Sequence, residues 1–519
     1  MDLQNETTPL LANPHQHYIE DESTESQAGV SEPSSQWRLL PDWSPTQWRV
    51  MIAGALLLLS VNFGNFIAQP PQLQIIEDII CRNYVQSINA TSSTLSGGMV
   101  AEVDNICKSP AVQKELALVT GWKNTFDILP SVALALPFGI LADKIGRRPV
   151  AIMALVSLMC SEIWCRVVCW FNLPVRLLWL GGVFQLPGGG NLVAVTMLMT
   201  IVADVFSAEE RGTAIFRLTA MSFVAEIVGI PLGATMLKSN PWTPFMLGML
   251  IMIIGSIFVL FMPETLNQVN ATDGIQENSE DSDDISQLSP AKSGTVAQIV
   301  AAKAQEFISS SRFLWTSPRV LISIIAVFAG SLDESSVYLL IQYVSAKFHW
   351  TIGEASYLLS VRGCMTLVTL LIVLPIGSSF LTRFLHYDSI TKDLSIARFA
   401  AISGVLGYLL ISIASTTFSL LAGILFISFA VPFAWSVVSV ATSFVPSQNQ
   451  VATLYSAMTV SKSVGGVIAG PVFASLYGVG MQLGLEWSGL PFAVGSLIFF
   501  LALIPVVCIR AHARVPEGS

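Results

Sequence analysis

Long apolar runs alternate with short polar stretches over most of this chain. A helix crossing about 30 Å of hydrocarbon needs roughly 20 mostly apolar residues. Six runs meet that rule near 50–69, 122–142, 149–171, 177–204, 212–237 and 243–262. After a polar stretch, six more follow near 319–345, 355–381, 399–415, 418–444, 452–477 and 490–509. The pattern predicts an all-α membrane protein with twelve transmembrane helices in two sets of six. No charge interrupts 399–461, so the turns there rest on "STT" at 415–417 and "PSQNQ" at 446–450.

The polar stretches set the domain plan: a disordered cytosolic tail over 1–48, six spans over 49–262, a central linker over 263–318, six spans over 319–510, and a short tail over 511–519. Lys and Arg in short loops set the orientation. With the N-terminus inside, the short inner loops hold Lys144, Arg147, Arg148, Arg211, Arg383, Lys392 and Arg398, against Arg176, Lys238 and Lys347 outside. Both termini are therefore expected in the cytosol. The long first outer loop, about 70–121, carries Cys81 and Cys107, which read either as a disulfide or as two free thiols, and an N-glycosylation sequon at Asn89. Sequons at Asn5 and Asn270 fall on the inner side. Cys160, Cys165, Cys169, Cys364 and Cys508 sit in or beside apolar runs and read as small apolar filler, so no metal site is expected.

Composition agrees. Hydrophobic residues make up 53% and charged residues only 12%, half the share of a soluble domain. The net charge of −9 is concentrated in the N-terminal tail and in "ENSEDSDD" at 277–284, solvated segments that need no specific partner. A basic footprint for nucleic acid is absent. The first forty residues lack the basic and apolar regions of a cleavable signal, so the first span is expected to serve as the insertion signal.

One charged stretch between spans two and three is informative: "GILADKIGRRPV" at 139–150. It is not a phosphate loop, which needs a glycine-rich turn ending in Gly-Lys-Ser/Thr. "LPGGGN" at 186–191 is glycine-rich but has no following Lys, and reads as close helix packing. Gly139, Asp143, Gly146, Arg147 and Arg148 match G-x-x-x-D-x-x-G-R-[RK], and with the six-plus-six plan the chain resembles the major facilitator superfamily. That resemblance implies two pseudo-symmetric six-helix bundles rocking about a central site, with this loop as a gate latch. Asp143 ends one helix where it can meet the N-terminus of another, and Gly146 permits a tight turn. Arg147 and Arg148 can pair with acids in "ADVFSAEERG", namely Asp204, Glu209 and Glu210, with Arg211 nearby. Such a cluster can form in one state and break in the other.

Ionisable groups inside the bilayer are the remaining signal, since each is costly there. Glu226, Asp333 and Glu334 fall near mid-span, and Arg362 and Lys462 supply isolated positive charge. Glu226 reads either as a proton carrier or as a structural partner of Arg362 or Lys462. Glu162 and Arg166, spaced i, i+4, form a self-neutralising pair. Asp127 reads as solvated near the outer end of span two. Asn62 and Gln342 either line a cavity or bond neighbouring helices.

The resemblance also bears on direction. Span five reads "GIPLG" at 229–233, a partial match to the G-x-x-x-G-P of drug exporters, and Gly182 stands where many proton-coupled members place Arg, which shifts weight to Glu226. The first loop and "PETL" at 263–266 resemble filamentous-fungal members associated with export of secondary metabolites. The expectation is a proton-coupled exporter of a small organic molecule, functional as a monomer, without cofactor or enzymatic activity. A nutrient importer and a non-transporting sensor are the alternatives. The linker segment 295–308 has the pattern of an amphipathic helix that couples the halves. "ETTPLL" at 6–11 fits a vacuolar or endosomal sorting signal, with the plasma membrane kept ahead of it.

Overall fold

The computed structural model describes residues 43–91, 106–266, 314 and 317–508, except 332, 446 and 447. The side chains of 89–91, 208, 209, 333–335, 337, 338, 448–450, 452 and 508 also lie outside the description. The expectations for Asn89, Glu209, Asp333 and Glu334 fall on those side chains. Those for the sorting signal, Asn5, Asn270 and the linker helix at 295–308 fall outside the described residues. Ser44–Ser519 forms one compact unit, and of Met1–Trp43 only Trp43 is described.

Every regular element among the described residues is helical. Eleven helices are long and apolar enough to cross a membrane. In chain order the spans are α1 (Pro45–Thr91), α2 (Pro110–Ile145), α3 (Arg147–Trp170), α4 (Val175–Val205), α5 (Ala208–Leu237) and α6 (Trp242–Phe261). A twelfth span, α7, is built from Pro318–Ser331 and Asp333–Phe348. The rest are α8 (Ile352–Arg383), α9 (Ser389–Ser412), α10 (Thr417–Thr442), α11 (Gln448–Leu483) and α12 (Leu490–Cys508).

The helix ends follow local chemistry. Thr351 caps α8 in a reciprocal box with Glu354, and Thr416 caps α10 with Ser419, placing the turn where "STT" predicts it. The first outer loop differs from its expectation. Instead of leaving the helix at 70, α1 continues through Pro70 and Pro71 to Thr91, and α2 begins at Pro110. Ile75, Ile76, Ile79 and Ile80 carry a buried stripe along this extension, in one core cluster with Val112, Leu116 and Val119 of α2. Apolar burial against a neighbouring helix sustains it beyond the bilayer-length run.

In the first half, α1 packs on α5 and α6, and α3 on α4; in the second, α9 packs on α10 and α12. Two seams join the halves, α2 against α11 and α5 against α8. Small residues set these approaches, as expected where lipid offers no competing hydrophobic drive. A Cβ on Gly121 would lie 2.7 Å from the carbonyl oxygen of Gly470. Nearer the Cys81 end of this seam, a Cβ on Gly478 would lie 2.8 Å from the Lys114 side chain. In the opposite direction the seam loosens: a Cβ on Gly466 would sit 3.9 Å from Ile128, and one on Gly139 would meet none of the described residues within 4 Å. The α5–α8 seam behaves alike. Cβ positions at Gly353 and Gly363 come within 3.3 Å of α5 atoms, whereas those at Gly212 and Gly377 at the other end meet none of the described residues within 4 Å. Among the described residues, the halves are closed together at the disulfide end and spread at the end bearing 139–150.

Candidate functional site

At the spread end, Gly146 turns the chain between α2 and α3 with φ of 109°, a conformation an L side chain rarely adopts. Its missing Cβ also makes room for Glu264, whose carboxylate would lie within 2.7 Å of that atom. Glu264 accepts the backbone N–H groups of Arg147 at 3.0 Å and Arg148 at 3.1 Å. A carboxylate thus caps α3 where its first N–H groups lack intrahelical partners and the helix dipole favours negative charge. The Arg147 guanidinium turns to α4, with Nε 2.7 Å from Asp204 Oδ2. Thr265 donates to the same Asp204 oxygen at 2.6 Å, so the start of the linker is bonded to the pair.

Asp143 lies 3.6 Å from Arg147 and its side chain is 60% exposed. Arg148 finds the Leu260 carbonyl at 2.6 Å rather than an acid. Glu210, expected as an arginine partner, instead accepts from Ser207 and Gln47, and Arg211 donates to the Ala203 carbonyl. Arg147, Asp204 and Glu264 all belong to the first half, so the pair is made while this end of the molecule is spread. The expectation of a cluster that forms in one state and breaks in the other concerns two states; in the one observed, the Arg147–Asp204 pair is made. Glu264 was not singled out by the sequence reading, because "PETL" carried meaning there only as a resemblance.

At mid-span the structure brings together three charges from three helices. Glu226 of α5, Arg362 of α8 and Lys462 of α11 line one cavity of about 180 Å³. Its apolar walls include Phe223, Phe433, Phe499 and Trp435, the last 71% exposed. Gly363 lets α8 approach, since a Cβ there would lie 3.3 Å from the Glu226 carboxyl carbon. Arg362 lines the same cavity as Glu226 from the facing side of the α5–α8 seam. One acid from the first half therefore faces two bases from the second. This arrangement suits proton exchange at Glu226 and binding of a small molecule with polar and aromatic groups.

The other expected residues are placed elsewhere. Asn62 donates to the Leu58 carbonyl on its own helix at 2.8 Å. Gln342 is buried in the closed end and donates across the α2–α7 contact to Thr120 at 3.1 Å. Glu162 and Arg166 pair at 2.6 Å, and Arg166 also donates to the Phe245 carbonyl and stacks over its ring. Asp127 is not merely solvated: Lys123 binds it at 2.7 Å on the same helix face. The i, i+4 spacing of Lys123 and Asp127 was the available signal. Cys81 and Cys107 form a disulfide that joins the α1 extension to the short turn before α2.

Residues 108–470 match the family model described as Major Facilitator Superfamily. The MFS-type transporter avaK of Aspergillus versicolor is 30% identical over 91% of this chain and 95% of its own length. The MFS efflux pump atnC of Emericella nidulans is also 30% identical, over 86% of this chain and 85% of its own. Among solved structures, the nucleoside transporter NupG superposes with a TM-score of 0.59 at 12% identity, covering 90% of this chain and all of that one. At that identity the likeness is one of fold. The family match, the full-length relatives and the two joined sets of helices together place this chain in the major facilitator superfamily.

Proposed function

We propose that the protein is a proton-coupled secondary active exporter of a small amphipathic organic molecule, working by alternating access. The observation that carries this reading is the convergence of Glu226, Arg362 and Lys462 on one cavity, with the acid and the bases on opposite halves. The full-length relatives named as transporter and efflux pump support export. In its charged form Glu226 attracts Arg362 and favours approach of α5 and α8. A proton on Glu226 removes that attraction, so proton occupancy biases the relative position of the halves. The aromatic walls then supply contact surface for the cargo.

The basic residues near 139–150 support a cytosolic location for the spread end, where an exporter loads. Asp143, with Gly139, Gly146, Arg147 and Arg148, forms the latch that meets the second half when this end closes. Asp204 and Glu264 hold that latch in shape. The plasma membrane is the favoured location. The test is uptake of a panel of small amphipathic aromatic compounds into inside-out vesicles under an imposed pH gradient. An acidic lumen should drive accumulation of at least one compound and an alkaline lumen should not. Accumulation driven only by the reverse gradient would make the protein an importer, and accumulation by neither would remove proton coupling.

A further inference from the structure

The closed end holds a cluster of charges that the mid-span cavity does not use. Glu77 on the α1 extension is buried, yet it accepts from Lys108 Nζ at 2.7 Å and from Gln113 Nε2 at 2.5 Å. Gln113 also donates to the Cys107 carbonyl at 3.0 Å. Lys108 directly follows the disulfide cysteine Cys107, and the bridge to Cys81 places it one helical turn along α1 from Glu77. The ammonium of Lys108 then extends out of its own half. It donates to the buried Ser345 Oγ of α7 at 2.8 Å, and Ser345 donates onward to the Trp350 carbonyl at 2.7 Å, in the turn before α8.

We propose that Lys108 is a gate residue of the disulfide end, a clasp that Cys81–Cys107, Glu77 and Gln113 hold in position and that Ser345 receives across the halves. Lys108, Glu77, Gln113 and both cysteines lie on the first half, and Ser345 lies on the second. Separating the halves here leaves the Lys108–Glu77 pair whole and, of the two Lys108 bonds, breaks the one to Ser345. The clasp is therefore a reusable contact: its donor is paired and aimed by groups that move with it, and only its acceptor departs. A hydrogen bond from a charged donor to a buried acceptor is strong enough to weight one state over another by about tenfold. Glu226 takes no part in this device, so it stands or falls separately from proton coupling.

The experiment is a spin-label distance measurement on the full chain in lipid nanodiscs. Labels are placed at the exposed positions Gln86 on α1 and Gln482 on α11, with the five cysteines outside the bridge replaced. The parent should show mainly the short distance of a closed end. Lys108→Met, Ser345→Ala and the Cys81→Ser/Cys107→Ser double variant should each raise the long-to-short ratio about tenfold, the worth of one charged hydrogen bond. Lys108→Arg should restore the parent distribution. Ser345→Ala keeps the Lys108–Glu77 pair and so decides the matter even if Lys108→Met fails to fold. An unchanged distribution in Ser345→Ala would overturn the clasp, including when Lys108→Met alone shifts it.

Discussion

Glu264 and Gly146 show how much a single position can hold at the spread end. The carboxylate caps α3, and the glycine supplies both the φ of 109° and the space that lets the carboxylate in. Glu264→Ala should lower thermal stability by about 1–2 kcal/mol, the usual worth of a helix cap, and should weaken the Arg147–Asp204 pair by freeing Thr265 and the linker start. A melting curve in detergent checks this. Gly146→Ala should destabilise further, because it adds backbone strain to collision with Glu264; an unchanged melting point for both variants would contradict the capping role. The Gly-Arg-Arg signature was readable in the chain because its residues are contiguous. Glu264 was not, because it acts across 117 residues of sequence separation and nothing in "PETL" marks it as a partner.

At the scale of helices, the glycine contacts between α2 and α11 give the mechanism its geometry. Side chains at Gly121 and Gly470 would strike the opposite backbone, whereas a Cβ on Gly139 at the other end would meet none of the described residues within 4 Å. Gly121→Val should therefore force the disulfide end apart and bias the protein toward the alternative state. The expected outcome is slower maleimide labelling of a Thr366→Cys reporter in the cavity, applied from the end bearing 139–150; faster labelling would argue against this seam as the pivot. The spans were largely legible, since twenty-residue apolar runs are a strong signal. The α1 extension was not. "QIIEDIICRNYV" mixes charges with isoleucines, and its helix is sustained by burial against α2 and by the Cys81–Cys107 bridge, both of which are tertiary. Glu77 and Lys108 were missed for that reason: both fall in what the hydropathy pattern reads as a loop.

For the whole molecule, the three mid-span charges were each visible in sequence as costly outliers, but their convergence required the fold. Glu226, Arg362 and Lys462 are far apart along the chain and come together only because α5, α8 and α11 each line the one cavity. That juxtaposition makes a specific division of roles. In the proposed function the cavity and its aromatic walls bind cargo, while Glu226 is assigned the link between binding and the proton gradient. The most direct test compares wild type with Glu226→Gln in two modes, for a compound that the wild type accumulates. Gradient-driven uptake into inside-out vesicles should fall at least about tenfold in the variant, as loss of one interaction of about 1.4 kcal/mol or more would give. Exchange of labelled for unlabelled compound at equal concentrations, with no gradient, should remain close to wild type. Gradient-driven uptake that survives intact in Glu226→Gln would contradict the assignment of Glu226 as the coupling residue.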